Sequence, residues 1–160
     1  MFKPLPVHRI RVLLVSLLLI GAASATLAFN SSSHWPGCMH AQGRLFNATE
    51  LGGAGRMIGT INGAYLYDGS TYQEWDPDGS DVIFNSGSSV VEGKHGSITF
   101  QEYAALDLAS EQGTNGAVLL VVTGGTGRWE GASGHLALSG YFHGDPFGGQ
   151  WVYEGEVCLP

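Results

Sequence analysis

The chain is poor in the residues that many functions depend on. Beyond residue 25 it keeps only four bases, Arg44, Arg56, Lys94 and Arg128, against all 14 acids, a net charge of −10. Such a balance argues against nucleic acid, because no basic patch is available to displace counterions from phosphates. It argues equally against anionic membrane surfaces. Neither paired zinc-ligand spacing nor a Ser-His-Asp order emerges, so zinc-enzyme and hydrolase readings find no support. No segment repeats its apolar residues with a helical period between caps, so helix content should be low. Ser97 to Ala109 comes nearest, since Ala104, Ala105 and Leu106 are good helix formers. The only long apolar run, Val12 to Ile20, is too short to span a bilayer comfortably.

That run has a different meaning. Lys3, Arg9 and Arg11 precede it, and Ala23-Ser24-Ala25 follows with the small residues of a signal-peptidase site. Residues 1–25 are therefore expected to be a secretory signal, with cleavage after Ala28 as an alternative. Residues 26–37 read as a flexible, serine-rich lead-in. The remaining residues, 38–160, suit one domain with one modest core. The expected location is secreted or periplasmic, without stable membrane insertion once the signal is removed.

Two cysteines, Cys38 and Cys158, stand near the two ends of this domain. In an exported chain such a pair favours one disulfide, which would tie the first strand to the last. The alternative is a soft-metal site in His34-Trp35-Pro36-Gly37-Cys38-Met39-His40, but it explains only one of the cysteines.

Glycine is abundant, with 24 of the 25 glycines beyond residue 21 against an ordinary frequency of about 7%. From Cys38 onward, strand-like segments alternate with Gly, Asp and Asn turns. Strands are predicted at Met39–Asn47, Arg56–Tyr67, Asp81–Asn85, Ser88–Glu92, Ser97–Leu108, Ala117–Thr123, His135–Phe142 and Gln150–Cys158. Gly59 or Gly63 could bend the second of these. The fold class is all-β: a closed antiparallel eight-stranded barrel, with a β-sandwich as the alternative. Closure is favoured because it removes edge strands and suits a Cys38–Cys158 bridge.

The most distinctive segment is Val121 to Gly140. Its glycines fail the dinucleotide-loop spacing, because Glu130 stands where the third glycine is needed, and no lysine makes it a phosphate loop. Gly124, Gly125 and Gly127 instead permit positive φ in a tight turn, Trp129 can fold onto the core, and Gly131 and Gly134 complete the pattern. GTGRWEGASGHLALSG resembles the turn-and-strand pattern of the allene oxide cyclase and dirigent-like barrel superfamily. The ending from Gly149 to Cys158 is similar to that of its secreted bacterial branch. The resemblance covers about 40 C-terminal residues and implies an eight-stranded barrel, often oligomeric, around a hydrophobic cavity. It also implies either cofactor-free cyclisation of a reactive lipid or steering of phenolic coupling, with no cofactor.

The acidic loop Glu74 to Asp81 departs from an EF-hand in both its glycine and its twelfth position, so a Pro77-led turn is expected rather than a metal site. His135 and His143 share a face opposite Leu136 and Leu138, which places the histidines outside if the leucines are core. His95 belongs to a solvated turn. The candidate pocket residues are Tyr65 and Tyr67 on one face, Trp151 and Tyr153 on another, and Phe100 and Glu102 on a third, with Arg56 available for an acid or a ligand carboxylate. Glu102 is the candidate catalytic group: if buried beside apolar neighbours its pKa would rise, whereas at a strand end it would sit in water. The function expected is binding of a small apolar or aromatic molecule inside the barrel. The alternatives are a cofactor-free cyclase or isomerase, and a filled barrel with a structural or protein-partner role.

Overall fold

The computed structural model describes residues 37–47, 53–77, 80–109, 114–144 and 147–160. The expected signal segment lies outside them, as does the lead-in apart from Gly37. Eight strands follow in chain order: β1 Cys38–Asn47, β2 Ala54–Gly59, β3 Gly63–Trp75, β4 Val82–Gly93, β5 Gly96–Asp107, β6 Thr114–Gly125, β7 Ser133–Gly144 and β8 Phe147–Cys158. Each pairs antiparallel with its neighbour and β8 returns to β1, so the sheet is a closed barrel rather than a sandwich. Among the described residues no helix is long and apolar enough to cross a membrane.

The β1–β8 ladder sets Cys38 directly opposite Cys158, and the two form a disulfide across 120 residues of sequence. Such a bridge is the chemistry of an oxidising compartment. It also removes the Cys38 thiolate that the soft-metal alternative needed.

Two predicted strand divisions differ from the structure, and several strands run longer than expected. Arg56–Tyr67 is not one bent strand but β2 and β3 on either side of a turn at Thr60–Asn62. Ile61 is buried at that turn, and the Tyr153 hydroxyl accepts from its N–H at 3.0 Å and donates to its carbonyl at 3.1 Å. Conversely, Asp81–Asn85 and Ser88–Glu92 belong to one continuous strand, because Ser86 and Gly87 stay paired to Tyr103 and Glu102 of β5. The Ala104–Leu106 stretch is strand, held between β4 and β6 despite its helix propensity. The segment after Tyr67 continues as strand to Trp75, with its register broken between Asp68 and Gln73.

Strand alternation sends one row of each strand inward. At the disulfide end the interior is filled by Met57, Ile61, Val91, Ile98, Leu136, Tyr153 and Val157. The glycine-rich turn closes this end. A 3-10 turn at Gly127–Trp129 lays Trp129 on the core, 5% exposed, with Gly127 at φ 60° and Gly131 at φ 71°. Gly125 has a different role from the one expected: its φ is not positive, but a side chain there would strike Trp129 Cβ at 2.7 Å. Gly134 has positive φ and lies against the β8 backbone at Glu156. Leu136 and Leu138 face inward and His135 outward, as the alternation requires.

Candidate functional site

The opposite end, where β1–β2, β3–β4, β5–β6 and β7–β8 connect, is less completely filled. An interior cavity of about 80 Å³ is bounded by Leu45, Tyr65, Glu102, Leu120, Leu138 and Trp151, among others. It meets a mouth of about 580 Å³ through shared walls at Tyr67, Tyr72, Asn85, Leu106 and Phe142. A void of the inner size holds only a fragment of a molecule. The combined cleft falls in the range of small-molecule sites, roughly 300–1,000 Å³.

The β5 row Ile98, Phe100, Glu102, Ala104, Leu106 reads apolar at every inward position but one. The exception, Glu102, is only 7% exposed. The Tyr65 hydroxyl, from β3 two strands away, donates to its Oε1 at 2.8 Å inside the barrel. Ser89 Oγ lies near both groups and is buried, without a hydrogen bond of proper geometry to either. Burial raises the Glu102 pKa from the ordinary 4.5, opposed by the neighbouring Ser89 and Tyr65 hydroxyls. Burial also raises the Tyr65 phenol, and the Glu102 carboxylate adds to the effect. Tyr67 is raised for the same two reasons, less completely buried. At the rim, Tyr72 donates to the Glu74 carboxylate and is pushed up to about 12, first by burial and then by that partner.

Tyr67 forms part of the entrance. Its hydroxyl donates to the Ser86 carbonyl at 3.3 Å, and its ring lies over Gly87, where any side chain would run into the phenol. Trp151 stands across the cavity with Phe142 edge-on at 5.0 Å. The site can therefore enclose an apolar or aromatic body and present one acid and one phenol to a single polar atom of it. With Glu102 protonated, its free O–H is a proton donor in a water-poor setting.

The pocket residues expected from the sequence do not all meet. Tyr65, Tyr67, Glu102 and Trp151 line the cleft. Phe100 and Tyr153 face inward but belong to the packed half, where the Tyr153 hydroxyl is committed to Ile61. Arg56 is exposed on the outer face, since its neighbour Met57 takes the inward position. Asn85, Phe142 and Leu106 were missed as lining residues, and Ser89 as a buried neighbour of the Tyr65–Glu102 pair. Treating β4 as two strands hid the row Asn85, Gly87, Ser89, Val91, which alternation along one strand places on a single face. In the acidic loop, the Ser80 N–H donates to the Pro77 carbonyl at 3.0 Å, which is a turn; Asp78 and Gly79 lie outside the described residues.

The Glu102 environment predicts a pH signature. Between 4.5 and the raised value, the folded state holds a proton that the unfolded chain has released. That contribution is present below 4.5 and is lost as pH rises through the folded-state pKa. Glu102→Gln lacks it and can still accept from Tyr65. The variant should therefore gain stability relative to the parent as pH rises from 4 to 8 in urea-denaturation midpoints. Parallel pH profiles would place Glu102 in water.

Comparison of the chain with protein families, with characterised proteins and with solved structures returns no match.

Proposed function

We propose that this barrel is an exported binding protein for a small apolar or aromatic molecule, of the dirigent-like kind. The ligand's bulk lies in the mouth and one end enters the cavity, where an oxygen meets Tyr65 and Glu102. The observation that carries this reading is the buried Tyr65–Glu102 pair at the base of an otherwise apolar cleft. A polar pair desolvated at the bottom of a cavity costs stability unless something uses it. The turn segment Gly125 to Gly134 and the Gly149–Cys158 ending support the same superfamily, and the N-terminal signal pattern with the disulfide supports export.

A second reading is favoured by the raised Glu102 pKa: a cofactor-free cyclase or isomerase in which Glu102 transfers the proton and the cleft fixes the reactive conformer. Under either reading the partner is a small hydrophobic molecule.

The test uses native mass spectrometry of the exported protein together with the neutral probe N-phenyl-1-naphthylamine. A retained small molecule or 1:1 probe binding is expected. Ala104→Phe, which puts a ring into the inner cavity that Ala104 lines, should weaken the probe by about tenfold or more, the loss of a good apolar contact set. A protein that is empty and ignores the probe, or probe binding unaffected by Ala104→Phe, would overturn the reading.

A further inference from the structure

At the disulfide end, on the outer side of the barrel, lies a second concavity of about 480 Å³ with the opposite chemistry. It is lined by Arg56, Lys94, Arg128 and His95, so three of the four bases beyond residue 25 gather at one place in a chain that is otherwise acidic. The fourth, Arg44, lines a different surface depression. One carboxylate, Glu92, shares the concavity, yet among the described residues none of these bases forms an ion pair.

Three connections bring the cations together. Arg56 comes from β2 just before the Thr60–Asn62 turn, Lys94 and His95 form the β4–β5 turn, and Arg128 sits in the 3-10 turn. The last two are fastened to each other. The Arg128 N–H donates to the His95 carbonyl at 2.9 Å and the Thr126 N–H to the Ser97 carbonyl at 2.7 Å. The Ser97 N–H in turn donates to Thr126 Oγ1 at 3.0 Å. Gly127 and Gly96 hold positive φ where these turns meet, so their backbones approach closely. The Arg128 guanidinium lies over the Trp129 ring, 4.3 Å from its centroid. Stacking fixes the plane of the guanidinium and leaves its N–H edge available for a bidentate oxyanion.

We propose that this concavity is an oxyanion-binding site for a phosphate or sulfate group, either as the free ion or as the ester of a small molecule. The turns that carry Lys94, His95 and Arg128 are fastened by backbone hydrogen bonds and the Arg128 guanidinium by stacking before any ligand arrives. The bases outnumber the one carboxylate, Glu92, so like charges repel until an anion relieves them. The site is independent of the apolar cleft at the other end.

The experiment is a titration of the isotope-labelled protein with inorganic phosphate at constant ionic strength, read by amide and indole NMR shifts. Saturable shifts are expected at Lys94 to Gly96, at Arg128 and at the Trp129 indole. Lys94→Gln or Arg56→Gln should weaken binding about tenfold or more, as for loss of one charge-assisted contact. Arg44→Gln changes net charge equally but removes no lining residue, so it should leave the affinity within about threefold, acting on the anion only through solvent-screened charge. Linear, unsaturable shifts, or equal losses in Arg44→Gln and Lys94→Gln, would overturn the proposal. Phenyl phosphate binding more tightly than inorganic phosphate would identify an ester as the ligand; equal affinity would identify the free ion. Because N-phenyl-1-naphthylamine is neutral and reports on the other end, failure of either site leaves the other measurable.

Discussion

Replacing Cys38 and Cys158 together by alanine is expected to destabilise the barrel by roughly 4–5 kcal/mol in the loop-entropy model. The bridge spans 120 residues of sequence, so in the unfolded chain it constrains nearly the whole domain. For a domain of this size the loss corresponds to a fall in Tm of roughly 10–20 °C. The native barrel has a second closure, the β1–β8 ladder from Cys38↔Cys158 to Asn47↔Gly149, so the reduced protein should keep its topology. Amide exchange should accelerate most at residues 38–42 and 154–158, the ladder end next to the lost bridge. Calorimetry of the oxidised protein, the reduced protein and the double variant checks this. A difference below about 1 kcal/mol would mean that the unfolded chain already keeps its ends together.

Trp151→Ala should cost nearly as much, about 3–5 kcal/mol, through lost burial and the void left behind. The indole is 3% exposed, walls the interior cavity and takes the edge of Phe142. Gly149 and Gly116 bring their backbones against it, at positions where a Cβ would lie 2.9 and 3.2 Å from indole atoms. Such a tight setting cannot easily collapse around a smaller side chain, so the cavity should grow beyond its present 80 Å³. Stability and binding should then part company. Urea midpoints fall, while N-phenyl-1-naphthylamine binds as well as before or more tightly, the reverse of Ala104→Phe. Loss of probe binding together with stability would show that the indole is itself the main ligand contact.

Much of this architecture was legible in the residues. That Ile98, Phe100 and Glu102 share one face follows from period-two alternation, and so does the opposition of His135 to Leu136 and Leu138; the structure turns the first row and the two leucines inward. The two cysteines at the ends of the domain pointed to the bridge. Where local signals misled, a distant partner was responsible. Ser86-Gly87 has turn chemistry, yet cross-strand pairing with Tyr103 and Glu102 keeps it extended, with Tyr67 lying over Gly87. The apolar Ile61 hid the turn at Thr60–Asn62, which is held by a hydroxyl 92 residues away on Tyr153.

By itself, then, the sequence determined the all-β class, the closed barrel as its favoured form, the cysteine pairing and which residues of a strand share a face, while the structure decided where the strands divide and which face points inward. All of these depend on spacing along a strand or on the count of a residue type. Only the tertiary structure decided which inward residues pack solidly and which border a void. It separated Tyr153, committed to a turn, from Tyr65, committed to Glu102, although alternation points both inward. It also moved Arg56 from the expected pocket to a cluster of cations at the other end. Alternation fixes a side chain's direction but not its height along the barrel or its neighbour across it; those are set by the register of eight strands around a closed ring.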